Sequence, residues 1–378
     1  MTRIYLDHAA TTPMAEEVIR TFTAEMNDEY GNASSIHQTG RRARKKLDES
    51  RTILASSIGA NVNEVTITSG GTEADNYAIF GTAFARVQEG KHIITSQVEH
   101  HAVLHACEQL EREGFEVTYL PVNEEGIIKV DDLKNSLRDD TILVSIMFGN
   151  NEVGSVQPIR EIGQLLKDHP AYFHTDAVQA YGSILINVQE LHIDLLSVSS
   201  HKINGPKGIG FLYQRNGIYL KPLFYGGQQE RKKRAGTENV PAVVSFAKAV
   251  ELKQQHLEEN SRALNSLKNA FVQQLINNGV DFSINGSKVN VLPHVLNISF
   301  PKTDVETFLV QLDLAGIDAS SGSACTAGSI DPSHVLVAMF GEKSPELRNS
   351  VRFSFGINNS ESQVIEAANR ISKIILGF

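Results

Sequence analysis

The order of apolar runs predicts an α/β protein, with a mainly parallel sheet flanked by helices in a large domain and a smaller α+β domain beside it. Two observations carry this expectation. Between about residues 62 and 225, short β-branched runs alternate with helix-length amphipathic stretches, the pattern of strands buried on both faces. Beyond about residue 243 that alternation stops, and long helical periodicity gives way to isolated strands and helices.

The elements follow in order. "EVTIT" (Glu64 to Thr68) reads as a strand and precedes a helical stretch from Glu73 to Ala85. "KHIITS" is a strand before the helical "AVLHACEQLERE", and "FEVTYLPV" is the strand after it. "TILVSIMF", "AYFHTDA" and "IDLLSVSS" are further apolar runs ending in polar residues. A periodic stretch from about Val243 to Asn278 predicts a helix bridging to the second unit. Then come "HVLNISF", the helical "DVETFLVQLDLAG", a Ser/Gly/Ala-rich loop, "SVRFSFG" and a last helix. The expected domains are 16–255 and a smaller one made of 1–15 with 256–378, the latter carrying a loop at about 320–334.

Composition narrows the function. Lys+Arg 35 against Asp+Glu 44 leaves a net charge of -9, which argues against direct nucleic-acid binding. The basic run "RRARKK" (Arg41 to Lys46) reads as a solvated helix start. No stretch has the length of apolar residues a membrane span needs, and the N-terminus has no signal-peptide core. Two cysteines, Cys107 and Cys325, make no disulfide framework, so a cytoplasmic, reducing location is expected.

In parallel sheets ligands gather at the carboxyl ends of strands. That rule marks Ser69 to Thr72, His100, Asn150-Asn151, Asp176 and His201-Lys202. "TSGGTEADN" places two glycines at a strand end before Thr72-x-x-Asp75, a capping-box pattern. It suits either a phosphate at a helix N-terminus or a plain tight turn. Lys202 follows an apolar strand among polar groups and glycines; desolvated, it would offer a neutral amine for a Schiff base, and exposed, it would only snorkel. Asp176 is either a helix N-cap or a carboxylate facing a protonated ring nitrogen. Arg352, on the strand "SVRFSFG", needs an anionic partner, which is a bound carboxylate or a structural ion pair. His101 and His105 stand at i, i+4, but no third ligand lies near in sequence, so no intrinsic metal site is expected. Cys107, within an amphipathic helix, reads as a buried core thiol. Cys325 sits in "SSGSACTAGS", a stretch suited to access rather than packing.

Jointly these residues describe pyridoxal 5'-phosphate chemistry. From "YLDHAATTP" through "TSGGTEADN", "EHHAVL", "NNEVG", "HTDAVQ", "SSHK", "RAGTENVP" and "SSGSACTAG" to "VRFSFG", the chain resembles the cysteine desulfurases of the class-V aminotransferase superfamily, of PLP-dependent transferase fold type I. The segment Ser320 to His334 resembles that of the long-loop group.

The resemblance implies the following roles. Lys202 is the Schiff-base lysine, Asp176 the ring-nitrogen partner and Gln179 the partner of the ring's phenolic oxygen. Gly71, Thr72, Ser199 and His201 contact the phosphate, and Thr237 reaches it from the other subunit of a homodimer. His100 stacks on the ring and can also transfer protons, while Asn151 and Arg352 hold the substrate carboxylate. Cys325 accepts sulfur from L-cysteine as a persulfide, leaving L-alanine. The implied acceptors are a tRNA 2-thiouridylase or an iron–sulfur scaffold protein, where Cys325 would serve as a transient cluster ligand. A selenocysteine lyase or aminotransferase of the same fold, or a non-catalytic sulfur-relay subunit, is the alternative reading.

Overall fold

The computed structural model describes residues 2–322 and 332–377. Its strands are β1 (Ile4–Tyr5), β2 (Val65–Thr68), β3 (His92–Ser96), β4 (Glu116–Leu120), β5 (Thr141–Ser145) and β6 (Tyr172–Asp176). They continue with β7 (Leu195–Ser199), β8 (Gly210–Gln214), β9 (Ser283–Asn285), β10 (Val295–Ser299), β11 (Ile317–Asp318) and β12 (Ser350–Ser354). Seven of them form one sheet in the order β2-β8-β7-β6-β5-β3-β4. All are parallel except β8, which runs antiparallel to both neighbours.

Neighbouring residues on one strand feed different cores, as the two-residue period of a strand requires. Val144, Leu196 and Phe211 pack with residues of the helices Gln38–Ser56 and Val240–Gln255, whereas Leu143, Leu195 and Leu212 pack with those of Gly71–Ala85 and His101–Arg112. Both faces are therefore covered, as expected for a mainly parallel sheet. The antiparallel strand β8 was not anticipated. The link 200–209 after β7 holds only the single turn Ser200–Lys202 and no crossover helix, so the chain must return alongside β7 in the opposite sense.

A third core gathers Ile4 and Leu6 with Phe271, Phe300, Val351 and Phe353, joining the start of the chain to its last hundred or so residues. It is built on the antiparallel sheet β12-β10-β9, the parallel pair β1-β11 and the helices Leu257–Asn277 and Glu361–Leu376. The expected single bridging helix from Val243 to Asn278 is two helices, Val240–Gln255 and Leu257–Asn277, broken at His256 with φ -123 and ψ 20. The break has a packing reason. Val243, Phe246 and Val250 bury in the large-sheet core, whereas Leu264, Leu267 and Phe271 bury in the other.

"RRARKK" lies in the first turns of the helix Gln38–Ser56, where Arg42 pairs with Glu29 at 2.8 Å and Lys46 with Glu25 at 2.7 Å. Arg51, further along the same helix and buried, makes two 2.6 Å hydrogen bonds to Glu230, which also accepts from the Ile67 N–H at 2.9 Å. That pair anchors three successive left-handed residues, Glu230, Arg231 and Lys232 (φ 47, 57 and 68), ahead of Thr237. Arg51→Ala would leave the Glu230 carboxylate buried and unpaired, so unfolding in denaturant should show a loss of about 3–5 kcal/mol. Among the described residues no helix is long and apolar enough to cross a membrane.

Candidate active site

The carboxyl ends of β2, β3, β6 and β7 open on a cleft of about 560 Å³. Gly71, Thr72, His100, Asn151, Asp176, Gln179, Ser199, His201, Lys202 and Arg352 all line it. Thr237 does not line this cleft of its own chain; it is exposed on the segment after Gln229–Lys232. Cys325 lies outside the described residues.

One end of the cleft is a helix start. The helix Gly71–Ala85 has Gly70 as its N-cap with φ 150 and ψ -173, and no side chain caps it. The capping-box reading of Thr72-x-x-Asp75 is therefore incorrect. Glu73 instead reaches back to accept the Ser69 N–H at 2.8 Å, and it is paired with Arg234 at 2.9 Å. Gly70 adopts a backbone conformation that side chains rarely take, and a Cβ on Gly71 would meet Val178 Cγ2 at 2.7 Å. Free amides and the positive end of the helix dipole, reached across bare glycine backbone, suit an anion.

The tight return from β7 to β8 aims Lys202 into the cleft. Its Nζ donates to the carbonyl oxygens of Ala9 at 2.5 Å and Ala10 at 2.9 Å. Desolvation, then the Arg352 charge, lowers its pKa to about 8, although Asp176 and Asp7 pull the other way. Neutral amine therefore accumulates as pH rises through that value. The rate at which Lys202 captures an aldehyde should climb about tenfold per pH unit below 8 and level off above it, as stopped-flow uptake of pyridoxal phosphate by cofactor-free protein would record.

Asp176 ends β6, buried, with its Oδ1 accepting the Val178 N–H at 2.9 Å; burial raises its pKa to about 6. Gln179 follows in the next turn. Its Nε2 donates to the Ala9 carbonyl at 2.9 Å, while its Oε1 accepts from His294 Nε2 at 3.1 Å. His100 caps the helix His101–Arg112, its Nδ1 accepting the Ala102 N–H at 3.1 Å. Desolvation first, then the Lys202 charge, lowers its pKa to about 4, so the ring is neutral at ordinary pH. His201 Nδ1 meets Thr11 Oγ1 at 3.1 Å.

Arg352, on β12, is 5% exposed and reaches the cleft from the C-terminal sheet. The structural ion pair weighed for it is present, with Asp7 Oδ1 at 2.9 Å from NH2; NH1 donates to the Asn151 carbonyl at 3.0 Å. Its Nε is buried without a partner and remains for a further acceptor.

Several contributors were missed from sequence. Asp7 holds Arg352 and also accepts from Ser320 Oγ at 2.8 Å. The Ala9 and Ala10 carbonyls hold Lys202, and His294 orients Gln179. Asp75 lines the cleft. His334 brings a third imidazole to the pair His101 and His105, with ring centroids 4.7 Å from His101, and donates to the Glu99 carbonyl at 2.8 Å. Among the described residues, the group whose possible ligand atoms all converge within 4.8 Å is instead Asp75, His100 and Asp176. Cys107 is fully buried, as expected from its helix.

A Bacillus subtilis (strain 168) relative, IscS 1, is 56% identical over 375 residues, 99% of each chain. A cysteine desulfurase IscS of Methanosarcina thermophila is 46% identical over 372 residues, covering 98% of this chain and 92% of that one. The solved structure of SspA in complex with cysteine superposes with a TM-score of 0.83 at 38% identity, covering 94% of this chain and 99% of the other. The aminotransferase class-V family model matches residues 4–366, and the chain belongs to that family.

Proposed function

We propose that this protein is a cysteine desulfurase that uses pyridoxal 5'-phosphate to take sulfur from L-cysteine, leaving L-alanine and a persulfide on Cys325. The observation that carries the reading is the convergence, in one cleft, of a partly desolvated lysine, an uncapped glycine-bordered helix start, a buried carboxylate and an arginine with a spare donor. Kinship over nearly the whole chain with proteins named as cysteine desulfurases supports the same conclusion.

The residues fit the cofactor. Gly71, Thr72, Ser199 and His201 would hold its phosphate, Asp176 its ring nitrogen, Gln179 its phenolic oxygen and Lys202 its aldehyde carbon, with His100 against the ring face. When bound, the group supplies an electron-withdrawing ring conjugated to the amino nitrogen of the substrate. Arg352 Nε and Asn151 orient the substrate carboxylate. Lys202, whose pKa of about 8 leaves part of it neutral, would take the Cα proton of bound substrate. The His100 ring, neutral and tied to the Ala102 amide, keeps a fixed orientation. The Cys325 thiolate would then attack the substrate sulfur, forming the S–S bond of the persulfide as the Cβ–S bond breaks, and protonation of the carbon left with that electron pair would give alanine.

Two wider features belong to this proposal. Thr237, exposed and outside its own cleft, would complete the phosphate site of a second copy in a homodimer. The large unit spans 16–255, and 1–15 with 256–378 form the smaller one, in keeping with the separate core that unites Ile4 with Phe353. The sulfur passes to an acceptor protein, a tRNA 2-thiouridylase or an iron–sulfur scaffold.

Arg352→Lys keeps the charge beside Asp7 but loses the planar fork. KM for L-cysteine should rise about tenfold or more with a smaller change in kcat, as steady-state alanine production would show. The decisive experiment incubates the protein with pyridoxal phosphate and L-cysteine, then follows alanine and intact mass. Alanine formed together with one added sulfur atom mapped to Cys325 supports the reading. Protein that stays colourless, or that forms no alanine, overturns it.

A further inference from the structure

Asp75 has no part in the chemistry above, yet its carboxyl reaches the same cleft. It lies in the first turns of the helix Gly71–Ala85, 1% exposed, and its Oδ1 has no hydrogen-bond partner. Its carboxyl, that of Asp176 and a His100 ring nitrogen lie within 4.8 Å of one another.

The groups packed around Asp75 do not neutralise it. His174, on β6, brings Nε2 to 3.6 Å from Oδ1, but its ring is held between Ser145 Oγ at 2.8 Å and Ser197 Oγ at 3.0 Å. Complete burial drives the His174 pKa down to about 3, so it is a neutral imidazole. Ser197, on β7, offers Asp75 a hydroxyl. Glu99, behind the cleft, adds a second acidic neighbour, and its own pKa is pushed up to about 8 by burial. Lys202 acts across the cleft on Asp176. Two buried carboxylates this close cannot both ionise, because water no longer screens their repulsion. Burial, then the charge of Asp176, raises the Asp75 pKa well above the carboxylate range, while Asp176 stands at about 6. Asp75, the more deeply buried of the two and with no cation acting on it among the described residues, is the carboxyl that favours the proton, while Lys202 favours the anion on Asp176.

We propose that Asp75 is a positioning residue for the ring-nitrogen partner: it stays a neutral acid and donates a hydrogen bond to the Asp176 carboxylate. This rests on the reading that Asp176 faces a pyridoxal ring nitrogen. A second donor, added to the Val178 N–H, stabilises the Asp176 anion and weakens it as a base. The proton shared by Asp176 and the ring nitrogen then stays on the ring, where the electron sink needs it.

The pair can be tested without the cofactor. Infrared difference spectra of the cofactor-free protein at pH 7 should show a protonated-carboxyl carbonyl band that Asp75→Asn removes and Asp176→Asn keeps, both variants retaining the wild-type circular dichroism. No band lost in Asp75→Asn, or loss in Asp176→Asn alone, overturns the proposal. Since no cofactor is present, this result stands or falls apart from the reading of Asp176. With ¹⁵N-labelled pyridoxal phosphate bound, the ring nitrogen should lose its proton at least one pH unit earlier in Asp75→Leu than in wild type, and Asp75→Asn, still a donor, should restore it. An unchanged ring-nitrogen titration in Asp75→Leu overturns the positioning role.

Discussion

Lys202→Ala is expected to lower alanine formation from L-cysteine by about a thousandfold or more, while the protein stays folded and still binds pyridoxal phosphate by its phosphate end. The size of the effect follows from geometry. The amine of Lys202 is the cleft group whose pKa, about 8, leaves a substantial neutral fraction near neutrality; His100 lies at about 4 and is already committed to the Ala102 amide. On the proposed reading, removing Lys202 would take away both the aldehyde anchor and the proton acceptor. Of the two carbonyls that accept from its Nζ, that of Ala9 keeps Gln179 Nε2 as a donor at 2.9 Å and that of Ala10 belongs to an exposed residue, so the fold should lose little. Chromatography of the products and visible absorbance of the reconstituted protein would check the two halves separately. Turnover within tenfold of wild type would remove Lys202 from its role.

The second large effect separates the two cysteines. Cys325→Ser should abolish the sulfur adduct seen by intact mass and cut sulfide release to about 1% or less, since the hydroxyl cannot take up sulfur as a thiolate does. Cys107→Ala should leave both intact and lower stability by only about 1 kcal/mol, the consequence of a small void in a helix–sheet core. Cys107 is completely buried, and burial pushes its thiol far toward the protonated form. Equal losses in the two variants, or none in either, would sink the assignment.

The cleft was legible from sequence where side chains end strands. His100, Asp176, His201 and Lys202 follow apolar runs, and the carboxyl-end rule collects them without knowledge of the fold's details. Asn150, marked by the same rule, is instead a turn-former: its Oδ1 accepts the Glu152 and Val153 amides, and its Nδ2 donates to the Val98 carbonyl. What sequence hid was mostly main chain. The Ala9 and Ala10 carbonyls carry no side-chain signature, yet they hold Lys202. Asp75 was masked by a resemblance to a capping box, because Thr72 three positions earlier satisfied the pattern while the true cap was Gly70. β8 was obscured by the glycines of "GPKGIGF", a composition that favours a turn but here leads into a strand. The break at His256 was invisible because helical periodicity continues on both sides; only the change of core reveals it.

The stretch Asp7 to Ala10 has one more implication, for synthesis. Ala9 meets an amine 193 positions later, and Asp7 meets a guanidinium 345 positions later. A nascent chain can complete the seven-stranded sheet while still tethered to the ribosome, but its pocket closes only when the final strand arrives. The cleft thus gains Arg352, one of its lining residues, only near the end of translation.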